Sequence, residues 1–285
     1  MQTIRDFSRL CVHTMTTKPW TLRQAIDGYA RAGVPAITVW RQHLEPYTAA
    51  EAGRMLRDSG LKVASLCRGG FFPAAAREGR QAAIDDNRRA IDEAAAIGAP
   101  LIVLVCGAVP GMPLDEARKQ IGEGIAAVLP QAKAAGVALS IEPLHPMYAD
   151  SRSAVNTLKQ ANDMVEALGG QLSIGSIKSI PSIGLGVTVD VYHVWWDGEL
   201  EGEIRRAGKS ILSFHVCDWR TPTRDLLNDR ALMGDGRINI KQIRDWVEAA
   251  GFDGFVEVEI FSDEHWASDQ AQYVEKIKAA YLKHV

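Results

Sequence analysis

Apolar and polar positions along this chain follow two periods. Runs in which nearly every residue is apolar recur at 8–14 (SRLCVHT), 36–40 (AITVW), 62–70 (KVASLCRGG) and 101–107 (LIVLVCG). Four more follow at 137–145 (VALSIEPLH), 184–194 (GLGVTVDVYHV), 211–219 (ILSFHVCDW) and 254–262 (GFVEVEIFS). Short runs rich in Val, Ile and Leu, bounded by Gly or Pro, predict strands buried on both faces, as in a parallel sheet. Between them apolar residues recur three or four apart. Leu22, Ile26 and Tyr29 share one helix face, and Gly33 ends the run. Leu158, Met164, Val165 and Leu168 precede Gly169–Gly170 in the same way, and a last helix spans roughly 269–284.

Eight strand–helix units in 285 residues give about 36 residues each, an ordinary length for such units. With no break in composition, they predict one α/β domain over 1–285, a single (β/α)8 barrel. An open doubly wound sheet is the competitor, but its glycine fingerprint is missing after the first run, where HTMTTKPW stands. The segment 169–186, rich in Gly, Ser and Ile, is too long for a tight turn. It is expected to be an insertion on the face opposite the active site or an oligomer contact.

Composition narrows the class. Against 35 acidic residues stand 32 basic ones, for a formal charge of −3, which argues against a nucleic-acid footprint. No stretch approaches the roughly 18 apolar residues of a membrane span. Arg5 and Asp6 fall where a signal peptide needs apolar residues, so a cytoplasmic protein is expected. Cys11, Cys67, Cys106 and Cys217 are scattered through apolar runs without a CxxC pair, so they read as buried thiols.

Chemistry in such a barrel is built at the carboxyl ends of the strands. His13, Trp40–Arg41 and Arg68 end the first three, and Glu142, Asp190, His215 and Glu259 stand in the fifth to eighth. A carboxylate or imidazole inside an apolar run is costly unless paired or bound to metal. Adjacent strands lie about 4.8 Å apart, so these four side chains can converge. Three carboxylates at one point repel unless a dication joins them, and oxygen-rich coordination favours Mn²⁺, Mg²⁺ or Co²⁺ over a thiolate zinc site. Glu257 lies one layer deeper than Glu259 and reads as a barrel-interior partner.

IEPLHP (141–146), VDVYH (189–193), FHVCD (214–218), GDGRINI (234–240) and GFDGFVEVEIFS (251–262) resemble the sugar isomerase/epimerase superfamily of xylose-isomerase-like barrels. That resemblance implies one divalent metal, Mn²⁺ first with Mg²⁺, Co²⁺ or Zn²⁺ as alternatives, on Glu142, Asp190, His215 and Glu259. It implies deprotonation beside a metal-bound carbonyl through an enediolate, with Glu142 and Glu259 as acid/base. His193 would orient a substrate oxygen or hydrogen-bond a ligand. Arg220 would hold an anionic or hydroxyl group or form a rim salt bridge. Arg68 is assigned to the substrate. Trp40 and Phe71–Phe72 would wall the sugar pocket or pack under loops.

Ketose epimerases of the superfamily carry an acidic residue six positions after the first metal Glu; here Tyr148 stands there. The same loop offers His145, suited to take a proton near neutral pH. EPLHP is similar to the loop of catalytic subunits acting on 3-keto-glycosides, including C-glycoside deglycosidases. That likeness implies a lyase that uses His145 as base and expels the aglycone by elimination. The expected partner is a small sugar or glycoside, with no nucleic acid and no membrane. A homo-oligomer is expected, with a different second subunit if the deglycosidase likeness holds. An abasic-site endonuclease needs more His and acidic ligands and a basic groove, and a sugar-binding barrel without catalysis would not need the four ligands.

Overall fold

The computed structural model describes residues 4–169 and 184–285. Eight parallel strands close into a barrel: β1 (Leu10–His13), β2 (Ala36–Trp40), β3 (Lys62–Gly70), β4 (Leu101–Val105), β5 (Ala138–Glu142), β6 (Leu185–Asp190), β7 (Ile211–Val216) and, late in the chain, β10 (Val256–Val258). Their order around the barrel is β1-β10-β7-β6-β5-β4-β3-β2, so chain neighbours are spatial neighbours. A two-stranded antiparallel ribbon, β8 (Asp218–Trp219) with β9 (Arg230–Ala231), interrupts the last crossover. The expected barrel is the observed one.

Helices form the outer layer. They are α1 (Leu22–Ala32), α2 (Ala49–Ser59), α3 (Arg77–Ile97), α4 (Leu114–Ala134) and α5 (Leu158–Ala167) in the first half. After β6 come a one-turn helix α6 (Val191–Val194), α7 (Leu200–Ala207), α8 (Ile240–Ala249), α9 (Asp263–Trp266) and α10 (Gln270–His284). Thr21 and Thr48 start α1 and α2 with capping boxes to Gln24 and Glu51. Gly33 ends α1 with φ +71°, a left-handed conformation that favours glycine. Leu22, Ile26 and Tyr29 are buried, as their spacing predicts.

The main core lies between strands and helices, where Ile37, Leu104, Ile121, Val187 and Phe214 are all buried. Each such side chain contributes about 1.5–3 kcal/mol when fully withdrawn from water. Inside the barrel a smaller cluster forms, with Met15, Trp40, Cys67, Val103 and Phe261. All four cysteines are buried and free. No helix among the described residues is long and apolar enough to cross a membrane.

Two expected runs change character at their ends. The 184–194 run is strand only to Asp190, whose Oδ1 accepts the Tyr192 amide at 2.8 Å and starts α6. The 254–262 run is strand only over Val256–Val258, so Glu259 stands just beyond it. Most of the 169–186 segment lies outside the described residues.

Candidate active site

The barrel interior is polar where an apolar plug would suffice for stability. Glu257 on β10 accepts from Thr38 and Ser213, from Ser65 at 3.0 Å, and meets His13 Nε2 at 3.2 Å. Burial pushes its carboxyl up, but His13 and the charge of His215 outweigh that and hold it at about 2. This layer is a floor: every oxygen is occupied, and it supports what stands above.

Above the floor the register does the work. Asp190 pairs with His215, and His215 with Glu257, across adjacent strands. Glu142 ends β5 opposite Val105. Glu142, Asp190, His215 and Glu259 are buried, and each brings a ligand atom within 4.8 Å of the others. His13, His215 and Glu259 form an overlapping group. Glu142 Oε1 and His215 Nδ1 lie 3.0 Å apart, yet neither has a hydrogen-bond partner among the described residues. Buried polar atoms whose only contact is an ion pair outside hydrogen-bonding geometry are costly, and such converging ligand atoms suit a cation placed among them. The residues fit a divalent metal.

The surrounding charges are set by burial and by one another. Burial would lower His215, but the Glu142 contact and the charges of Glu257 and Glu259 hold it at about 10. Asp190 is pushed up to about 7 by burial, against the pull of Arg230. Glu259 resists its burial and is held well below the usual carboxylate range by Arg230 and His13.

Arg230 is the member of this charged cluster that sequence reasoning missed. It is buried, with NH1 2.7 Å from Glu259 Oε2 and 3.1 Å from Asp190 Oδ2. Its guanidinium lies over the Tyr192 ring at 4.4 Å and the Phe261 ring at 5.0 Å. The ribbon positions it, and Asp218 anchors the chain after the ribbon by accepting the amides of Gly234 (2.9 Å), Gly236 (3.0 Å) and Ile238 (2.9 Å). A Cβ on Gly236 would come within 2.3 Å of Asp218 Oδ1, so the close approach requires glycine. His193, on α6, is buried with Nδ1 3.2 Å from the His145 amide and Nε2 3.6 Å from Asp190. Burial, with Arg230 adjacent, holds it well below its ordinary value and so neutral.

The other expected residues are divided by the fold. Trp40 lines the inner cavity, with its ring edge against Phe261 at 5.2 Å. Phe71 packs at the mouth with Val105, Leu144 and Tyr148, whereas Phe72 is buried in the outer core against Gly124 and walls nothing. Arg220 does not reach the cluster: it is a rim residue, 3.0 Å from Asp229 and 3.4 Å from Glu264. His145 also stands apart. Its ring packs against Trp196 and Trp219, at 5.7 and 5.0 Å, its Nδ1 accepts the Met147 amide, and Leu144 lines the cavity in its place. Arg68 borders a separate outer groove.

The inner cavity has a volume of about 20 Å³, bounded by Glu142, Tyr148, His193, Leu227, Arg230 and Glu259. That is room for about one water, not a sugar. The 220–229 segment covers it: Leu227 packs on Val105, Leu144 and Tyr148, and the Tyr148 hydroxyl donates to the Leu226 carbonyl.

A family model described as a xylose isomerase-like TIM barrel matches residues 26–281. The chain belongs to that family. Among relatives of this xylose isomerase-like barrel is an inosose isomerase of Halalkalibacterium halodurans, 26% identical over 263 residues, covering 89% of this chain and 85% of the relative. Protein SMc04130 of Sinorhizobium meliloti 1021, a solved structure, is 48% identical with TM-score 0.90 over 98% of both chains. The IOLI protein, solved with a bound zinc atom, superposes with TM-score 0.82 at 19% identity, over 96% of this chain and 97% of that one. That likeness is one of fold.

Proposed function

We propose that this barrel is a divalent-metal-dependent isomerase or epimerase of a small hydroxy-ketone, a sugar or a cyclitol. The observation that carries the reading is the converging set Glu142, Asp190, His215 and Glu259, with Glu142 Oε1 and His215 Nδ1 buried and in no hydrogen bond among the described residues. Relatives named inosose isomerase, one of them matched over 89% of this chain, support the reaction class. When bound, a divalent metal would supply Lewis-acid polarisation of a carbonyl, which acidifies the adjacent C–H.

The chain's own residues do the rest. Glu142 and Glu259 bound the four-strand arc β5-β6-β7-β10, so they approach a central substrate from opposite sides. One removes the proton beside the carbonyl and the other returns it, the arrangement that inverts or moves a hydroxyl-bearing centre. Arg230 keeps Glu259 ionised and therefore able to accept a proton. The guanidinium also faces the negative charge that develops on the substrate. Neutral His193 helps to hold Arg230 in place, its Nε2 3.1 Å from the guanidinium while its Nδ1 accepts the His145 amide. Trp40, Phe261 and Leu227 exclude water around the reacting carbon. His145, packed outside the cavity, is not given the base role.

The test is hydrogen exchange in D₂O with added Mn²⁺ and a panel of ketoses, inososes and 3-keto-glycosides. Deuterium entering beside the carbonyl, with an isomer appearing, is the expected result. Release of an aglycone without isomer would overturn it in favour of elimination. Metal content gives a second readout: Glu142→Gln and Glu259→Gln are expected to lose most bound metal, and full retention in both rejects the ligand set.

A further inference from the structure

Two arginines at the barrel mouth carry charge that no carboxylate answers. Arg68 follows the barrel-interior Cys67 on β3 and is partly buried, its guanidinium over the Phe71 ring at 4.1 Å. Arg152 lies over the Tyr148 ring at 5.7 Å and lines the inner cavity beside Glu142, His193 and Glu259. Among the described residues neither guanidinium makes a hydrogen bond or ion pair. Their neighbours differ. Arg41 is held by Asp86 at 2.8 Å and Glu93 at 2.6 Å, and Arg220 and Arg224 share Asp229 and Glu264. The carboxylate that Arg68 feels, Asp86, is already taken by Arg41 and by Arg89 at 3.0 Å.

Burial and the like charges of Arg152 and Arg41 hold Arg68 down at about 10. A partly buried cation crowded by cations is costly unless an anion joins it. An aromatic face fixes a guanidinium while leaving its in-plane N–H donors free, and that fork matches the oxygens of a carboxylate or phosphate. Arg68 also borders a groove of about 600 Å³, the size of a small-molecule site, whose other lining includes Arg41 with its paired carboxylates Asp86 and Glu93, and Glu45. Phe71 and Tyr148, the rings beneath the two guanidiniums, belong to one apolar cluster with Leu144 and Val105, which sets Arg68 and Arg152 on the same stretch of the mouth.

We propose that Arg68 and Arg152 form an oxyanion subsite beside the metal-ligating cluster, so that the substrate is a hydroxy-ketone carrying a carboxylate or phosphate away from its carbonyl. The proposal rests on the hydroxy-ketone reading above for its substrate, and on the two arginines alone for its anion.

The experiment compares a neutral ketose, its terminal phosphate and its terminal carboxylate on the Mn²⁺-loaded protein, wild type against Arg68→Gln and Arg152→Gln. At least one anionic member is expected to exceed the neutral ketose in kcat/KM by tenfold or more, and the two anionic arms identify which oxyanion is read. Each substitution is expected to lower the anionic-to-neutral ratio about 10–100-fold, mainly through KM. Equal use of all three substrates by the wild type, or an unchanged ratio in the variants, overturns the subsite. Inorganic phosphate and malonate are titrated calorimetrically into the wild type and the double variant, which judges the subsite even if no ketose turns over. Binding weakened at least tenfold in the double variant supports it; no binding to the wild type, or equal binding to both, overturns it. If the double variant does not fold, Arg68→Lys with Arg152→Lys keeps the charge and removes the fork, and the same tenfold criterion applies.

Discussion

Arg230 lies against two carboxylates of the cluster, and removing it leaves both buried with less compensation. Breaking a buried ion pair costs roughly 3–5 kcal/mol, because the remaining charge has no water to turn to. In a protein of this size that is a fall of about 10 °C in melting temperature. Arg230→Met is therefore expected to melt about 10 °C lower in EDTA, and to recover more stability from added Mn²⁺ than the wild type, since a cation replaces the lost charge. Equal melting of the two proteins in EDTA would show that Arg230 does not hold Asp190 and Glu259. His145 gives the opposite expectation. With its ring between Trp196 and Trp219 rather than on the cavity, His145→Ala should reduce turnover less than tenfold; a loss of a hundredfold or more would restore it as the base. The four ligand candidates were legible in the sequence because ionisable groups in apolar strands are costly without a reason. Arg230 was not, because it leaves the strands altogether and depends on Asp218 gathering three amides from residues 16 to 20 positions away. Arg220, the first arginine after β7, carried the more visible signal and lies on the rim.

At the level of elements, the apolar runs located every barrel strand but not where each one ends. The 184–194 run was one strand in the pattern, yet it contains a strand and a helical turn, since buried strand and buried helix are equally apolar over four residues. That switch decides chemistry: it leaves Asp190 at the strand end and places His193 on α6 beside Arg230. The 220–229 segment had no periodicity at all, and its role follows only from what it covers. It is tied to the rest of the barrel by the ion pairs of Arg220 and Arg224 with Glu264, at 3.4 and 2.9 Å, by the Asp229–Ser262 bridge, by the Tyr148 hydroxyl donating to the Leu226 carbonyl, and by the Asp263 amide donating to the Asn228 carbonyl at 3.0 Å. A sugar cannot enter a cavity of about 20 Å³, so catalysis requires this segment to open. Tyr148→Phe removes one tie, worth about 1 kcal/mol. Amide exchange within 220–229 is then expected to accelerate roughly fivefold, without change in β4 or β5. Unchanged exchange there would mean that the Tyr148 bond does not hold the segment down.

Across the whole molecule, the cluster couples stability to pH and to metal in opposite directions. Asp190 is held at about 7 and His215 at about 10, both above their ordinary values of 3.8 and 6.5, so the folded chain binds more protons than the unfolded one. Their contributions to metal-free stability are fully present below the ordinary values and are lost as pH rises through the folded ones. Glu257, held at about 2, works the other way, but its contribution is fully present above pH 4.5 and is lost only as pH falls toward 2. His193 and His43, held below their ordinary 6.5, also work the other way, but their contributions are complete once the unfolded imidazole has lost its proton, by about pH 7.5. Above about pH 7.5 the descending terms alone remain, and in EDTA the melting temperature should fall from there to about pH 9. A metal ion competes with the same protons for the same atoms, so its affinity rises where theirs is given up. Ligand at a hundred times its dissociation constant stabilises by about 2.7 kcal/mol, and each further tenfold in affinity adds about 1.4 kcal/mol. The gap between melting curves in Mn²⁺ and in EDTA is therefore expected to widen steadily from pH 6 to 8.5. A gap that stays constant or narrows would mean that the cation does not displace the protons of Asp190 and His215, and hence that it binds somewhere other than this cluster.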